Sequence, residues 1–473
     1  MTLRLTNTLG GEIEEFAPIE PGHVRMYSCG PTVYGPSHIG NFRSFVFADV
    51  LRRYLDWMGL RVTWVMNITD VDDRIIRNLA AAGGSLDELT APHIANFLAD
   101  LDRLRITRPD VMPRATQHIS EMADMIGTLL EKGHAYRADD GSIFFRIASW
   151  PAYGRLARLQ PDQLHQGERV AADDYGKGDV RDFALWKGPR DDEPSWSTSV
   201  GEGRPGWHIE CSAMSMKYLG QSFDLHTGGI DLIFPHHENE IAQSETATGQ
   251  RFVGTWLHCA HLQVSGQKMA RREGNIFRPA ELFEQGWRPA ELRYALLATN
   301  YRAPLEWGDE TLANARAAVQ RVTTAVRRIE AYASRHTKED HALPGHIDAV
   351  RERFRAGMDD DLNVSAALAA VFDLVRSVNF RIDGQDFSGP DARRVGDALR
   401  DFDRVLGIID DTDEELPAGA AELIERRADA RAARDWATSD RLRDELAALG
   451  VAVEDTPDGQ RWHRLSGGGD ADG

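Results

Sequence analysis

The sequence predicts an α/β chain: a parallel-sheet domain interrupted by a smaller α+β insertion, then a helical bundle, then a small C-terminal α/β unit. Three observations carry this. A strand–loop–helix–strand pattern covers residues 24–67, a second strand–helix alternation runs over 206–264, and nearly everything from Pro289 onward has helical spacing.

Residues 24–28 are a short β-branched and aromatic run, and Gly30, Pro31, Gly35 and Pro36 then break regular structure. From Phe42 the apolar residues Phe45, Val46, Ala48, Val50, Tyr54 and Trp57 fall largely at helical spacing; Gly59 is a stop and 60–66 is the next strand. One βαβ unit makes the first strand pair parallel. His38-Ile39-Gly40-Asn41 lies where the helix begins. A helix N-terminus offers unpaired N–H groups and positive partial charge, Gly40 lets a nucleotide approach the backbone, and His38 can donate to phosphate. Any βα turn holding one histidine looks the same, and this is not the dinucleotide fingerprint.

At 473 residues the chain is too long for one ordinary core, which implies several domains. Hydrophobic content of 42% and charged content of 27% are those of a soluble globular protein. No apolar run is long enough to span a bilayer and Met1-Thr2-Leu3-Arg4-Leu5 lacks a signal core, so a cytoplasmic chain with no membrane partner is expected. A net charge of −19 repels nucleic acid on average, so a polyanion partner would need local basic faces. Cys29, Cys211 and Cys259 are few and widely spaced, which argues against a disulfide framework and leaves each as a small buried hydrophobe or a metal ligand.

Asn67-Ile68-Thr69-Asp70-Val71-Asp72-Asp73 follows the second strand, where ligand sites lie in open α/β sheets; the acids also suit a helix cap. Helical spacing then dominates from 75 to about 104. Residues 113–205 change character: a helix near 119–131, Tyr136, a turn at Asp139-Asp140-Gly141 and the apolar Ile143-Phe144-Phe145. Residues 173–205, rich in Gly, Pro and charge, read as irregular surface cover.

Gly206-Trp207-His208-Ile209-Glu210-Cys211 resumes the first pattern, Cys211 being expected near a later strand. A strand at 223–226 ends in Thr227-Gly228-Gly229 with Asp231 behind it. Pro235-His236-His237-Glu238-Asn239-Glu240 opens a helix on which His236 and Glu240, four apart, share a face. Such a pair can chelate a metal or do nothing. If the fold brings Cys29 and Cys211 to it, two sulfurs, one nitrogen and one oxygen make a plausible tetrahedral zinc site. A strand over 256–264 precedes Ser265-Gly266-Gln267-Lys268-Met269-Ala270-Arg271-Arg272-Glu273-Gly274-Asn275, a glycine-flanked loop able to close over a triphosphate, or simply a solvated basic turn.

Beyond Pro289, residues 312–332 and 361–375 carry apolar stripes that read as bundle cores. Residues 410–415 form an acidic linker, 425–449 a charged amphipathic helix stopped by Gly450, and Val451-Ala452-Val453 with Arg461-Trp462-His463 a small hairpin around Pro457-Asp458-Gly459.

In this order the motifs resemble the cysteinyl-tRNA synthetases, a family of class I aminoacyl-tRNA synthetases. The resemblance rests on Cys-Gly-Pro-Thr-Val-Tyr at 29–34, His-Ile-Gly-Asn at 38–41, Asn-Ile-Thr-Asp-Val-Asp-Asp at 67–73, Gly-Trp-His-Ile-Glu-Cys-Ser-Ala-Met at 206–214 and Phe-Pro-His-His-Glu-Asn-Glu at 234–240. It implies ATP-dependent activation of L-cysteine to cysteinyl-adenylate and transfer to the 3′ end of tRNA(Cys), with Mg²⁺ accompanying ATP. It implies one Zn²⁺ held by Cys29, Cys211, His236 and Glu240 that selects the substrate thiolate over serine's hydroxyl. Catalysis is then expected from His38, Asn41, Lys268 and Arg271, ATP binding from His38, Gly40, Asn41, Asp231, Lys268 and Arg271, and cysteine binding from Cys29, Gly30, Thr69 and Trp207. Arg431, Asp440 and Asp455 match anticodon contacts, with Trp436 able to stack nearby.

The fold implied is a Rossmann-like catalytic domain in two halves (1–112 and 206–288) around an inserted connective subdomain (113–205). A stem-contact and helical-bundle tRNA-binding domain (289–409), a small C-terminal anticodon-binding domain (410–465) and a disordered tail (466–473) follow, in a monomer. The usual Lys-Met-Ser-Lys-Ser signature is here Lys268-Met269-Ala270-Arg271-Arg272, which keeps charge but loses both hydroxyls, and implies slower or differently gated activation. The rival readings are the cysteine ligase of mycothiol synthesis, against which residues 425–462 argue, and a non-catalytic tRNA-binding paralog.

Overall fold

The computed structural model describes residues 2–159, 181–191, 193–270, 273–336, 344–384, 387–411, 417–456 and 459–464. Residues 173–180 of the expected irregular segment, Arg271 and Arg272 of the basic loop, residues 412–416 of the linker, Pro457-Asp458 of the hairpin turn and the tail from 466 lie outside them. The chain forms two compact units, Met1–Ile409 and Asp410–Gly473. Among the described residues no helix is long and apolar enough to cross a membrane.

The first unit is organised on a four-stranded parallel sheet. Its elements are β1 (His23–Ser28), α1 (Ile39–Trp57), β2 (Arg61–Met66), α2 (Trp207–Leu219), β3 (Phe223–Gly229), α3 (Glu238–Thr248) and β4 (Val253–Cys259), with spatial strand order β4-β3-β1-β2. β1 lies against β2 from His23↔Arg61 to Ser28↔Met66 and against β3 from Leu225↔Met26 to Thr227↔Ser28. Consecutive residues Met26 and Tyr27 are both fully buried, as expected where both faces of a parallel sheet are covered. α1 covers one face with Phe42, Phe45, Val46 and Leu51 among others, and Gly59, at φ +85°, turns the chain back into β2.

Four sequence expectations are revised. The helical stretch 75–104 is two helices, Asp73–Ala82 and Leu86–Arg103. Gly83 and Gly84, both at positive φ, break it, and Ser85 and Glu88 then form a capping box. The run 256–264 also divides: β4 ends at Cys259, and Leu262–Val264 joins a separate small sheet with Gln267–Lys268 and Leu305–Glu306. The helix expected over 425–449 is two, Ala420–Ala432 and Trp436–Ala448, because Arg434 takes φ +58° and Asp435 caps the second through Thr438 N–H.

The fourth revision concerns the insertion. The described residues between 181 and 205 hold three strands where irregular cover was expected: Phe183–Lys187, Trp196–Thr198 and Gly201–Pro205 complete a five-stranded antiparallel sheet with Ala135–Arg137 and Ile143–Phe145. The glycines that read as loop permit close strand approach. A Cβ on Gly203, at φ +153°, would sit 2.2 Å from the Lys187 carbonyl oxygen.

The helices Asp309–Arg335, Pro344–Asp359, Val364–Asp383 and Gly389–Leu406 pack as an apolar bundle whose core is continuous with α1. In the second unit, the two helices cover the hairpin Val451–Thr456/Gly459–Arg464 through Ala420, Leu446, Val451 and Val453.

Candidate metal centre and adjoining phosphate site

Cys29 follows the carboxyl end of β1, and Cys211 lies not at a strand but on the first turns of α2, within the helix that packs over β1 and β2. The two sulfurs are 3.8 Å apart and buried. α3 is preceded by a tight turn over Ile233–His237, which delivers His236 beside the helix; His236 Nε2 is 3.0 Å from Glu240 Oε1. One ligand atom from each of Cys29, Cys211, His236 and Glu240 falls within 4.8 Å of the others. Two sulfurs, an imidazole nitrogen and a carboxylate oxygen at that spacing suit a tetrahedral, thiophilic cation.

A second donor set shares two of these residues: Cys29, Glu240, His226 and His237. His226, on β3, places Nε2 3.0 Å from the other Glu240 oxygen, and His237 Nε2 is 3.3 Å from Cys29 Sγ. His237 is in turn held by His258 at 2.7 Å, and His236 by His208 at 2.9 Å. Sequence reasoning singled out neither His226 nor His258. The signal available was a histidine within an apolar parallel strand, near the end where sites form.

The electrostatics agree with a cation seat. Burial pushes the Cys29 thiol well up, with the neighbouring Cys211 sulfur adding to it. The hydrogen bond from Cys29 outweighs burial at Cys211 and draws it down to about 6. Burial would depress His236, but Cys211 and Glu240 overcome it and hold the imidazole at about 10. Burial would likewise raise Glu240, yet His226 and His236 keep it at about 2. With Cys211 and Glu240 both drawn down, the cluster carries negative charge that a cation would neutralise.

The remaining expected residues lie around this cluster and along the sheet edge. Trp207 opens α2, is 40% exposed, and stacks on His236 with ring centroids 4.2 Å apart. Thr69 is buried after β2, with its hydroxyl on Glu210 at 3.2 Å. The backbone N–H of Gly30 donates to Asn67 Oδ1 at 2.8 Å.

His38 precedes α1, where its N–H donates to Asn41 Oδ1 at 3.1 Å. A Cβ on Gly40 would meet His38 Nδ1 at 3.1 Å and Met269 Sδ at 3.5 Å, so the glycine leaves the helix start open beside the basic loop. Lys268 Nζ reaches Asp231 Oδ2 at 2.8 Å. Partial burial works against the Asp231 anion, but Lys268 prevails and Asp231 titrates below the ordinary carboxylate range. Asn275 pins the loop by accepting from Ala270 N–H at 2.9 Å and donating to the Lys268 carbonyl at 3.2 Å. Of the expected clamp, Lys268 is described and Arg271 is not.

In the second unit Arg431 pairs with Asp455 at 2.9 Å and lies over the Trp436 ring at 5.4 Å. Asp440 instead pairs with Arg443 at 3.3 Å. Arg427, which sequence reasoning passed over as one arginine among many, is buried and grips Asp455 with both Nη atoms at 2.9 and 3.0 Å. Cys259 is a buried thiol pushed up to about 11 by burial.

A family model described as the tRNA synthetases class I (C) catalytic domain matches residues 15–317. A DALR domain matches 353–410, and a cysteinyl-tRNA ligase anticodon binding domain matches 413–462. The chain is 44% identical over 467 residues to a cysteine–tRNA ligase of Solibacter usitatus, covering 98% of this chain and 100% of that one. It is 45% identical over 472 residues to a cysteine–tRNA ligase of Alkalilimnicola ehrlichii, again covering 98% and 100%. A solved methionyl-tRNA synthetase of Mycobacterium tuberculosis, in complex with methionyl-adenylate, superposes with a TM-score of 0.60 at 16% identity, covering 82% of this chain and 90% of that one; at this identity the likeness speaks to the fold.

Proposed function

Since the chain belongs to the cysteine–tRNA ligases of class I and is an enzyme that joins cysteine to tRNA(Cys), we propose that Cys29, Cys211, His236 and Glu240 hold a Zn²⁺ by which it selects its amino acid. The single observation that carries this is the gathering of those four donors within 4.8 Å. When bound, zinc supplies a thiophilic Lewis acid that favours a thiolate over a hydroxyl. Cys29, Gly30, Thr69 and Trp207 form the cysteine pocket around it.

Activation joins a cysteine carboxylate oxygen to the α-phosphorus of ATP and breaks its bond to the pyrophosphate oxygen. His38, Asn41 and the α1 N-terminus behind Gly40 stabilise the charge that develops there, with Lys268 and Arg271 closing from the loop and Asp231 orienting Lys268. Mg²⁺ accompanying ATP would supply charge neutralisation at the phosphates. The terminal tRNA ribose hydroxyl then takes the acyl group and AMP leaves. Arg431, Asp440 and Asp455 read the anticodon.

The proposed division is a catalytic domain of residues 1–112 and 206–288 around an insertion at 113–205. The tRNA-binding bundle at 289–409, the anticodon domain at 410–465 and a tail at 466–473 complete it. The DALR domain at 353–410, the anticodon binding domain at 413–462 and the division between units after Ile409 support the boundary at 409–410, while the catalytic model runs unbroken to 317, past the proposed boundary at 288; the chain is taken as a cytoplasmic monomer on family resemblance. The test is pyrophosphate exchange dependent on cysteine. It is expected to stop on chelation of zinc, to return with added zinc, and to ignore serine. Exchange that persists in fully demetallated protein would remove the zinc from the reading.

A further inference from the structure

Arg43, buried on α1, joins the helix that opens the phosphate site to the small sheet that carries Lys268. Its Nη1 donates to the carbonyls of Ala260 at 2.9 Å and His261 at 2.7 Å, and its Nη2 to those of Asn300 at 3.2 Å and Ala303 at 2.6 Å. Ala260 and His261 lead into the strand Leu262–Val264, and Asn300 and Ala303 lead to Leu305–Glu306, which pairs parallel to it. The two roots also bond each other. Ala260 N–H donates to the Tyr301 carbonyl at 2.7 Å, and Leu305 N–H to the His261 carbonyl at 3.1 Å. Lys268 hangs from this sheet through its pairing with Gln263. On the other side, Gly40 lies three residues before Arg43, and a Cβ on it would stand 3.5 Å from Met269 Sδ. One guanidinium therefore fixes how far the base of the basic loop stands from the start of α1.

Four Nη hydrogens meet four carbonyls, a set that a planar fork can satisfy; a lysine ammonium has its three donors on one atom and cannot span both roots. Among the described residues no carboxylate pairs with Arg43, and burial pulls it below the ordinary guanidinium value. A charge buried against carbonyls alone is a costly way to fill space, and an apolar side chain would pack there without that penalty. We propose that Arg43 is a positioning residue for adenylate formation. It holds the two jaws of the phosphate clamp, the α1 N-terminus and Lys268, at the separation that the triphosphate requires. This rests on the reading of Lys268 and the start of α1 as that clamp. Charge fixed in advance stabilises a transition state only at the right distance, and a misplacement of about 1 Å loses much of the effect. Arg43 itself is buried and acts through the two elements it joins.

The test is a double-mutant cycle on the full-length, zinc-loaded chain: the natural protein, R43K, K268A and R43K/K268A, with zinc content measured in each. Single-turnover pyrophosphate release at saturating ATP and cysteine reads adenylate formation. R43K is expected to slow it roughly 10–100-fold while leaving KM for cysteine unchanged. In the K268A background the same change should slow it by less than about twofold, because Arg43 acts through a lysine that is no longer there. Equal slowing in both backgrounds, or a KM for cysteine that rises alongside, would make Arg43 a packing residue and overturn the proposal. If R43K does not fold, R43Q, which keeps two amide donors and buries no charge, takes its place in the cycle; failure of both to fold overturns the proposal as well. K268A indistinguishable from the natural chain would instead overturn the reading of the clamp.

Discussion

Arg293 Nη2 lies 2.6 Å from Asp49 Oδ2 with neither side chain exposed, and the same guanidinium caps the Leu406 carbonyl at 2.6 Å. Asp49 is on α1, whose N-terminus forms the expected phosphate site, and Leu406 ends a bundle helix. One buried ion pair thus ties the catalytic helix to the bundle. D49N leaves the Arg293 charge buried without its carboxylate, so it is expected to cost about 3–5 kcal/mol of unfolding free energy; R293M, which leaves Asp49 paired with Arg53 at 2.7 Å, should cost less. The apolar double variant D49L/R293M should regain much of it. Denaturant titration of the three proteins is the measurement.

The two candidate donor sets separate by mutation. If zinc uses Cys211 and His236, C211S abolishes tight binding, whereas H226Q, which frees the other oxygen of Glu240, weakens it by roughly 10–100-fold. If it uses His226 and His237, the order reverses. Competition against a chromophoric chelator reads both affinities directly.

Asp100, on the helix Leu86–Arg103, has its carboxyl raised to about 6 by burial, which Arg103 only partly offsets. A folded-state value above the unfolded one means that the folded protein holds the extra proton between them. Stability from this group is therefore full below the ordinary carboxylate range and falls as pH rises through about 6. D100N should stabilise the protein at pH ~7 and make little difference at pH ~4. Thermal melting across that interval reveals the sign.

The basic loop reads Lys268-Met269-Ala270-Arg271-Arg272, where the family resemblance implies Lys-Met-Ser-Lys-Ser. Restoring it as A270S/R271K/R272S is expected to speed adenylate formation in single-turnover pyrophosphate release, since lysine is a compact, mobile charge and arginine a planar one. Equal rates in the two proteins would show that the altered loop is kinetically silent.

Arg431 is held by Asp455 and lies over Trp436, whereas Asp440 pairs with Arg443. R431A should raise KM for tRNA(Cys) in aminoacylation while leaving cysteine-dependent pyrophosphate exchange intact. A change in the exchange reaction would place Arg431's effect outside anticodon reading.

Much of this was legible along the chain. Apolar period and glycine stops identified β1, α1 and β2, and four-residue spacing put His236 and Glu240 on one face. The motifs also identified the family that the comparisons show. Those signals are local: they depend on backbone periodicity and on which residues tolerate a turn. The strands of 183–205 were missed because glycine and proline there serve a cross-strand approach, which only a neighbouring strand reveals. Likewise the 3.8 Å meeting of Cys29 with Cys211, the competing claim of His226 on Glu240, the grip of Arg43 on the Ala260 and Ala303 carbonyls and the Asp49–Arg293 pair join residues far apart in the chain. Sheet register and helix docking decide which side chains meet at such distances, and neither is written in any one stretch of sequence.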